Sequence, residues 1–346
     1  MIIHFLTMDG SPLGVTMKTL YGEDGIIGCG GSEYLMLTLC EEWANAGHEV
    51  VLFNNPREFG VSPFEQRNIS DFNPNDKRDV LINFRSANPR TVATTNCLKV
   101  WLSTDQLSTG DYAAFSHHVD KIVGISPRHA QFFNQYYGIQ NMIVIDIPIR
   151  TQDFDQMKDV VKIKNRLIFT SVPARGLDNL WRIYPLIQKE IPDVSVAITS
   201  DYRLWGVGAS NEHFRVKWMN RSNVLFFGAL PRRKYVEELM KSQITLYPCN
   251  YDELFCVAIA EAQYAGAYPI TSNAGALPTT NMGAVLPLDA NDRSNDKTYA
   301  DAVIAMLEHP DELLAVRQKE VHKKAKERFD PKRIMLEWDD LVFSKG

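Results

Sequence analysis

The sequence predicts an α/β protein of two domains, each a parallel sheet wrapped by helices. Three observations carry that prediction. Short apolar runs alternate with helix-like segments through the first half, the pattern in which helices cross between parallel strands. A polar stretch at 151–164, opening Thr151-Gln-Asp-Phe-Asp-Gln-Met-Lys-Asp159, then interrupts the alternation. A second alternation follows, and 346 residues suffice for two domains of ordinary size.

In chain order, the first domain (1–150) is expected to hold strands at 2–6, 50–53, 80–83, 98–102, 121–124 and 143–147. Helices are expected over 32–45, where apolar residues fall at helical spacing, and over 127–137. The polar stretch 151–164 is read as the linker. The second domain (165–330) opens with a strand at 167–171 and a helix over 177–190. Strands at 194–200 and 224–227, a helix over 233–241 and a strand at 244–247 follow. An apolar helix starting near Phe255 is stopped by Gly266 and Pro269, ahead of a strand at 268–271. The stretch 310–343 is charged and helical, broken by Pro331, so 331–346 is expected to be a separate terminal helix.

Composition bounds the function. With 45% hydrophobic and 23% charged residues the chain reads as globular. No apolar run approaches the ~18 residues of a membrane span. Met1-Ile-Ile-His-Phe-Leu-Thr7 lacks a basic n-region, so no signal peptide is expected. Five cysteines (Cys29, Cys40, Cys97, Cys249, Cys256), odd in number and without CxxC spacing, fit a reducing cytoplasm and argue against structural zinc. A net charge of −5 gives no electrostatic case for nonspecific nucleic-acid binding. Without a basic-hydrophobic N-terminal helix, membrane association is at most peripheral.

The chemistry concentrates between Tyr247 and Ile270, where Glu253 and Glu261 stand eight residues apart around the start of the apolar helix. Free N–H groups at that start, near Phe255, Cys256 and Val257, and the positive end of the helix dipole make a seat for phosphate. Eight residues span roughly 12 Å. That length lets one carboxylate hold sugar hydroxyls, the helix end a diphosphate and the other carboxylate a ribose. An ordinary amphipathic helix with a glycine stop has the same composition. Against that alternative, Glu261 sits between Ile259-Ala260 and Ala262, where an unpaired carboxylate is costly.

The order strand, Pro248, acidic loop, helix, Gly266, strand resembles the E-x7-E signature of retaining GT-B glycosyltransferases of family four. Gly28-Cys-Gly-Gly-Ser-Glu33 with Gly47-His-Glu-Val-Val-Leu-Phe53, Val123-Gly-Ile-Ser-Pro127 with Gly138-Ile139, and Asn223-Val-Leu-Phe-Phe-Gly-Ala-Leu-Pro231 resemble further motifs of that family, so the likeness covers most of the chain. It implies two Rossmann-like domains with parallel sheets facing a central cleft. It implies a retaining, metal-independent hexosyl- or pentosyltransferase, with a nucleoside-diphosphate sugar as co-substrate and no other cofactor. The acceptor is a hydroxyl on a saccharide, a lipid-linked intermediate, a small metabolite or a modified nucleobase. Carried over residue by residue, Glu261 takes the ribose, Glu253 the sugar hydroxyls and Arg175 the diphosphate, with Ser171 and Gly228 alongside and Gly30 and Gly31 closing over the phosphates. Asp105, Ser103, Arg85 and Asn273 fall on the transferred-sugar and acceptor side, and the terminal helix returns to the first domain.

The chain also departs from the pattern. The segment Trp101-Leu-Ser-Thr-Asp105 carries no histidine where many relatives have one, and the second basic residue near Arg175 is missing; Arg232, Arg233 and Arg85 are candidates to replace it. His117 and His118 read as surface residues, and the loop from Met8 to Ile27 as a mobile acceptor-side segment. Asp153-Phe-Asp155 has the metal-binding D-x-D form but no strand end to present it. The Gly28–Gly31 turn follows the first strand too distantly for a dinucleotide fingerprint. Two rivals stay open: a catalytically silent nucleotide-sugar-binding protein, and a nucleotide-sugar epimerase on the same fold.

Overall fold

The apolar runs of the sequence become strands of two wholly parallel sheets. The structure, a computed structural model, describes all residues except 9–13, 59, 108, 207–210, 309–310 and 345–346. It divides into two compact units, one of Met1–Tyr21, Cys29–Pro148 and Pro331–Gly346, the other of Gly22–Gly28 and Ile149–Asp330.

The first unit contains β1 (Ile2–Leu6), α1 (Met17–Tyr21), α2 (Gly31–Asn45), β2 (Glu49–Phe53), β3 (Glu65–Arg67), β4 (Val80–Phe84), α3 (Pro89–Ala93), β5 (Leu98–Leu102), α4 (Tyr112–Ser116), β6 (Lys121–Gly124), α5 (Pro127–Tyr137) and β7 (Met142–Val144). Its seven strands run β3-β2-β1-β4-β5-β6-β7. Central strands are mostly apolar at successive positions, as a sheet covered on both faces requires: all five residues of β4 are buried, Asn83 among them. Strand order reverses between β1 and β4, the place where such sheets open a crevice at their carboxyl ends.

The second unit contains α6 (Thr151–Asp155), β8 (Arg166–Phe169), α7 (Leu177–Glu190), β9 (Ser195–Ile198), α8 (Glu212–Met219), β10 (Val224–Phe226), α9 (Arg232–Lys241), β11 (Ile244–Tyr247), α10 (Val257–Tyr264), β12 (Tyr268–Ser272), α11 (Leu277–Thr280), β13 (Ala284–Leu286), α12 (Asp296–Glu308) and α13 (Asp311–Arg328). Its order, β10-β9-β8-β11-β12-β13, reverses between β8 and β11. One core cluster packs against this sheet, with Leu167, Tyr184, Trp218, Leu246, Ile259 and Tyr299 among its members; its strand residues Leu167, Phe169, Val196, Ile198, Ile244 and Leu246 alternate along their strands and so share one face.

The chain then re-enters the first unit as α14 (Pro331–Trp338) and a π turn, Asp339–Phe343. Trp338 is buried edge-on against Trp43 of α2, ring centroids 5.2 Å apart. Pro331, which cannot continue a helix from its N-terminal side, begins α14.

Two placements differ from the sequence reading. The stretch 151–164 is not bare linker: α6 lies within it, and Asp153 there is held by Arg150 (3.2 Å) and Arg232 (2.8 Å). Arg150 is a neighbour three residues away, but local composition gave no sign of the distant partner Arg232. The segment Gly22–Gly28, whose residues up to Ile27 were expected in a mobile acceptor-side loop, groups with the second unit. There the Gly28 N–H donates to the Leu230 carbonyl at 2.9 Å. Residues 9–13 of the same loop lie outside the described residues, and α1 occupies its middle.

Candidate active site

The signature helix starts two residues later than expected. Cys256, at φ 78°, ψ 77°, turns the chain into α10, whose first residue is Val257. A non-glycine side chain in this left-handed region is strained. Among the described residues six such positions occur: four are asparagines, and the others are Cys256 and Arg85. Each of these two lies beside a carboxylate singled out by sequence.

Glu253 is 3% exposed. Arg175 Nη1 donates to both of its carboxylate oxygens at 3.0 Å, and Tyr247 Oη donates to Oε1 at 2.6 Å. Tyr247 ends β11, and Arg175 lies just past β8, so the pair sits at the switch point of the second sheet. The Arg175 guanidinium lies over the rings of Tyr251 (4.3 Å) and Trp205 (5.2 Å), which are themselves partly exposed. Burial by itself would lower the Arg175 pKa; the charge of Glu253 outweighs it and keeps the group above its ordinary value. Burial, reinforced by Glu253, drives the Tyr247 phenol well above its usual range and the Cys249 thiol up to about 12.

Two glycines make this loop possible. A Cβ on Gly275 (φ 58°) would lie 2.2 Å from the Glu253 carbonyl oxygen and 2.3 Å from its nitrogen. A Cβ on Gly176 (φ 113°) would lie 2.4 Å from the Pro248 carbonyl oxygen. Ala276 N–H also donates to the Glu253 carbonyl at 2.7 Å. The 273–276 turn therefore supports the Glu253 main chain, and Asn273 in it is exposed.

Glu261, 2% exposed, faces Arg232 Nη2 at 2.5 Å. Arg232 also holds Asp153, which pairs with Arg150. Tyr235 bonds Glu261 as well; burial and that carboxylate together raise its pKa well above the ordinary phenol value. Arg232, named from sequence as a possible second cation, is thus the buried counter-ion of the second signature glutamate. Nothing in the local sequence announced this pairing, because the partners come from different helices.

The other donor-side expectations distribute as follows. Ser171 Oγ lies 3.1 Å from Tyr247 Oη and, with the phenol hydrogen on Glu253, is the donor of that pair, joining the Glu253 cluster. Phe255 is buried edge-on to Phe329, centroids 5.7 Å apart, so its ring belongs to the core. Gly228 (φ 70°) lies beside Asp201, whose carboxylate accepts from Arg203, Asn211 and the Ala229 N–H. Gly30 caps α2 in extended conformation and Gly31 is its first residue.

In the first unit, Arg85 (φ 62°) closes β4 and pairs with Asp105 beyond β5; its Nη1 is 3.9 Å from Glu33. The Arg85 carbonyl accepts from the Trp101 indole at 2.9 Å, and Ser32 and Thr104 hydroxyls meet at 3.0 Å. Ser103 is fully buried, its hydroxyl 3.3 Å from His129 Nε2. His129 is a residue that sequence reading did not single out; its only local trace is its place in the first turn of α5 after Ser126, which accepts from its N–H. His117 and His118 are exposed past α4. Among the described residues no group of three or more His, Cys, Asp or Glu could hold a metal, and no helix is long and apolar enough to cross a membrane.

Comparison with known proteins adds the following. The family model described as glycosyl transferases group 1 matches residues 156–328, half of the chain. No curated protein matches by sequence. Among solved structures, sucrose-phosphate synthase from Thermosynechococcus elongatus aligns with a TM-score of 0.70 at 14% identity, covering 99% of this chain and 98% of that one. A glycosyltransferase from Rickettsia africae aligns at 0.69 and 15%, covering 100% and 99%. HepE from Anabaena, solved with UDP and glucose, aligns at 0.69 and 14%, covering 100% of both chains. At these identities the likeness is one of fold: two Rossmann-like domains of the GT-B kind.

Proposed function

Because the chain belongs to the glycosyl transferases group 1 family, we propose that it moves a hexosyl or pentosyl group from a UDP-sugar to an acceptor hydroxyl, with retention and without a metal or other cofactor. The observation that carries this reading is the Arg175–Glu253 pair at the carboxyl ends of β8 and β11, beside the start of α10. The UDP donor is suggested by HepE, which was solved with UDP-glucose. The residue roles are those that the family resemblance implies. N–H groups at the start of α10 and the Arg175 guanidinium meet the diphosphate; Glu253 accepts from sugar hydroxyls; Glu261, fixed by Arg232, meets the ribose. Arg85 and Asp105 keep the acceptor role.

In the reaction, the acceptor oxygen bonds to the anomeric carbon on the face the phosphate leaves. The carbon–phosphate-oxygen bond breaks, the acceptor proton passes to that phosphate oxygen, and UDP departs. The protein supplies positioning and stabilises the charge gathering on UDP. The test is UDP release from UDP-glucose, with the product anomer read by NMR and the assay repeated in chelator. Release that Glu253→Gln abolishes supports the reading. UDP-glucose binding without release under a panel of sugar acceptors would instead make the protein a silent nucleotide-sugar binder.

A further inference from the structure

His129 lies 0% exposed in the first turn of α5. The Ile125 N–H, which can only donate, is 3.4 Å from His129 Nδ1, so Nδ1 accepts. The ring hydrogen then sits on Nε2, 3.3 Å from Ser103 Oγ. The Ser103 hydroxyl in turn reaches the Asp105 carbonyl, an obligate acceptor, at 3.4 Å. Donation therefore runs one way, from Ile125 through His129 to the main chain of Asp105, both by way of Ser103 and by a direct bond from the imidazole to the Asp105 backbone. The carboxylate of that same residue meets Arg85, whose own carbonyl is pinned by the Trp101 indole.

We infer that His129 is a positioning residue: acting directly and through Ser103, it sets the turn that aims Asp105 at Arg85 and so at the acceptor. The acceptor clause rests on the function proposed above; the link from His129 to Asp105 does not. Burial pushes the imidazole pKa down to about 3, so the ring is neutral at physiological pH and its tautomer is set by its neighbours. The plain alternative is a core histidine that merely packs, edge-on to Phe133 at 4.7 Å. Such a residue would affect stability and every activity alike.

Imidazole 15N NMR on the wild-type protein and Ser103→Ala, with UDP release from UDP-glucose, separates the two. The expected wild-type spectrum shows one tautomer, with the hydrogen on Nε2, and Ser103→Ala shifts that resonance. Ser103→Ala and His129→Phe should each slow UDP release roughly tenfold while the UDP-induced thermal shift stays unchanged. Because both routes start from His129, the double variant should be no slower than His129→Phe alone. His129→Gln, which keeps a donor near Nε2, should recover part of the rate. An Nδ1–H tautomer, losses that multiply, or a UDP shift that falls with the rate would overturn the inference. If the wild-type protein releases no UDP, the transferase reading falls, and the NMR arm still decides: an Nδ1–H tautomer, which leaves Nε2 no hydrogen to donate toward Ser103 or Asp105, removes the link.

Discussion

Removing Arg175 should destabilise the second unit, and removing Glu253 as well should restore it. In Arg175→Met the Glu253 carboxylate keeps the Tyr247 hydroxyl at 2.6 Å but loses a guanidinium nitrogen 3.0 Å from both oxygens. Glu253 is 3% exposed, so solvent cannot replace that partner. Breaking one side of a buried pair costs about 3–5 kcal/mol; Arg175 is itself partly accessible, so about 3 kcal/mol is the better figure. For a unit of this size that corresponds to roughly 6–12 °C in its unfolding transition. Arg175→Met/Glu253→Gln leaves a neutral amide opposite a thioether, and about two-thirds of the loss should return. Differential scanning calorimetry reads the three variants against wild type. A single variant as stable as wild type, or a double variant no better than the single, would mean that the pair carries no buried-charge energetics.

Three further outcomes follow from particular contacts. Gly275→Ala places a methyl within 2.3 Å of the Glu253 main chain at φ 58°; we expect about 2 kcal/mol or more of destabilisation in calorimetry and loss of UDP release. Trp338→Ala empties the buried site against Trp43 and should cost the first unit about 3–5 kcal/mol, read in its own thermal transition. Burial holds the Lys162 ammonium down to about 7, against about 10.4 unfolded, so the unfolded chain binds more protons between those values. Stability of the second unit should therefore rise with pH across that window, by at most about 1.4 kcal/mol per unit, and that contribution should be absent in Lys162→Met.

The parallel architecture was legible because both of its signals are local. Apolar runs mark strands buried on two faces, and Gly266 and Pro331 mark where helices end or begin. Glu253 and Glu261 were legible as a spacing within one segment. What sequence could not give were pairings between segments. Arg232 reaches Glu261 and Asp153 from another helix, and His129 meets Ser103 across neighbouring strand ends. The start of α10 was misplaced for a different reason. Cys256 adopts a conformation that its residue type disfavours, and only its surroundings hold it there.

Those cross-segment pairings change the electrostatics of the proposed donor seat. Glu253 is offset by Arg175, and Glu261 with Asp153 by Arg232 with Arg150. Within these four carboxylate and guanidinium pairings the charges cancel, so they bring the diphosphate no net attraction of their own, and the start of α10 adds roughly half an elementary charge. UDP must therefore compete with Glu253 for Arg175. Glu253→Gln removes the competitor and leaves the guanidinium stacked over Tyr251 and Trp205. A freed charge-assisted contact is worth about 1.5–3 kcal/mol, so UDP should bind at least about tenfold tighter to this variant by titration calorimetry, while UDP release from UDP-glucose stops. Weaker UDP binding in Glu253→Gln would show that the carboxylate orients Arg175 for the diphosphate and does not compete with it.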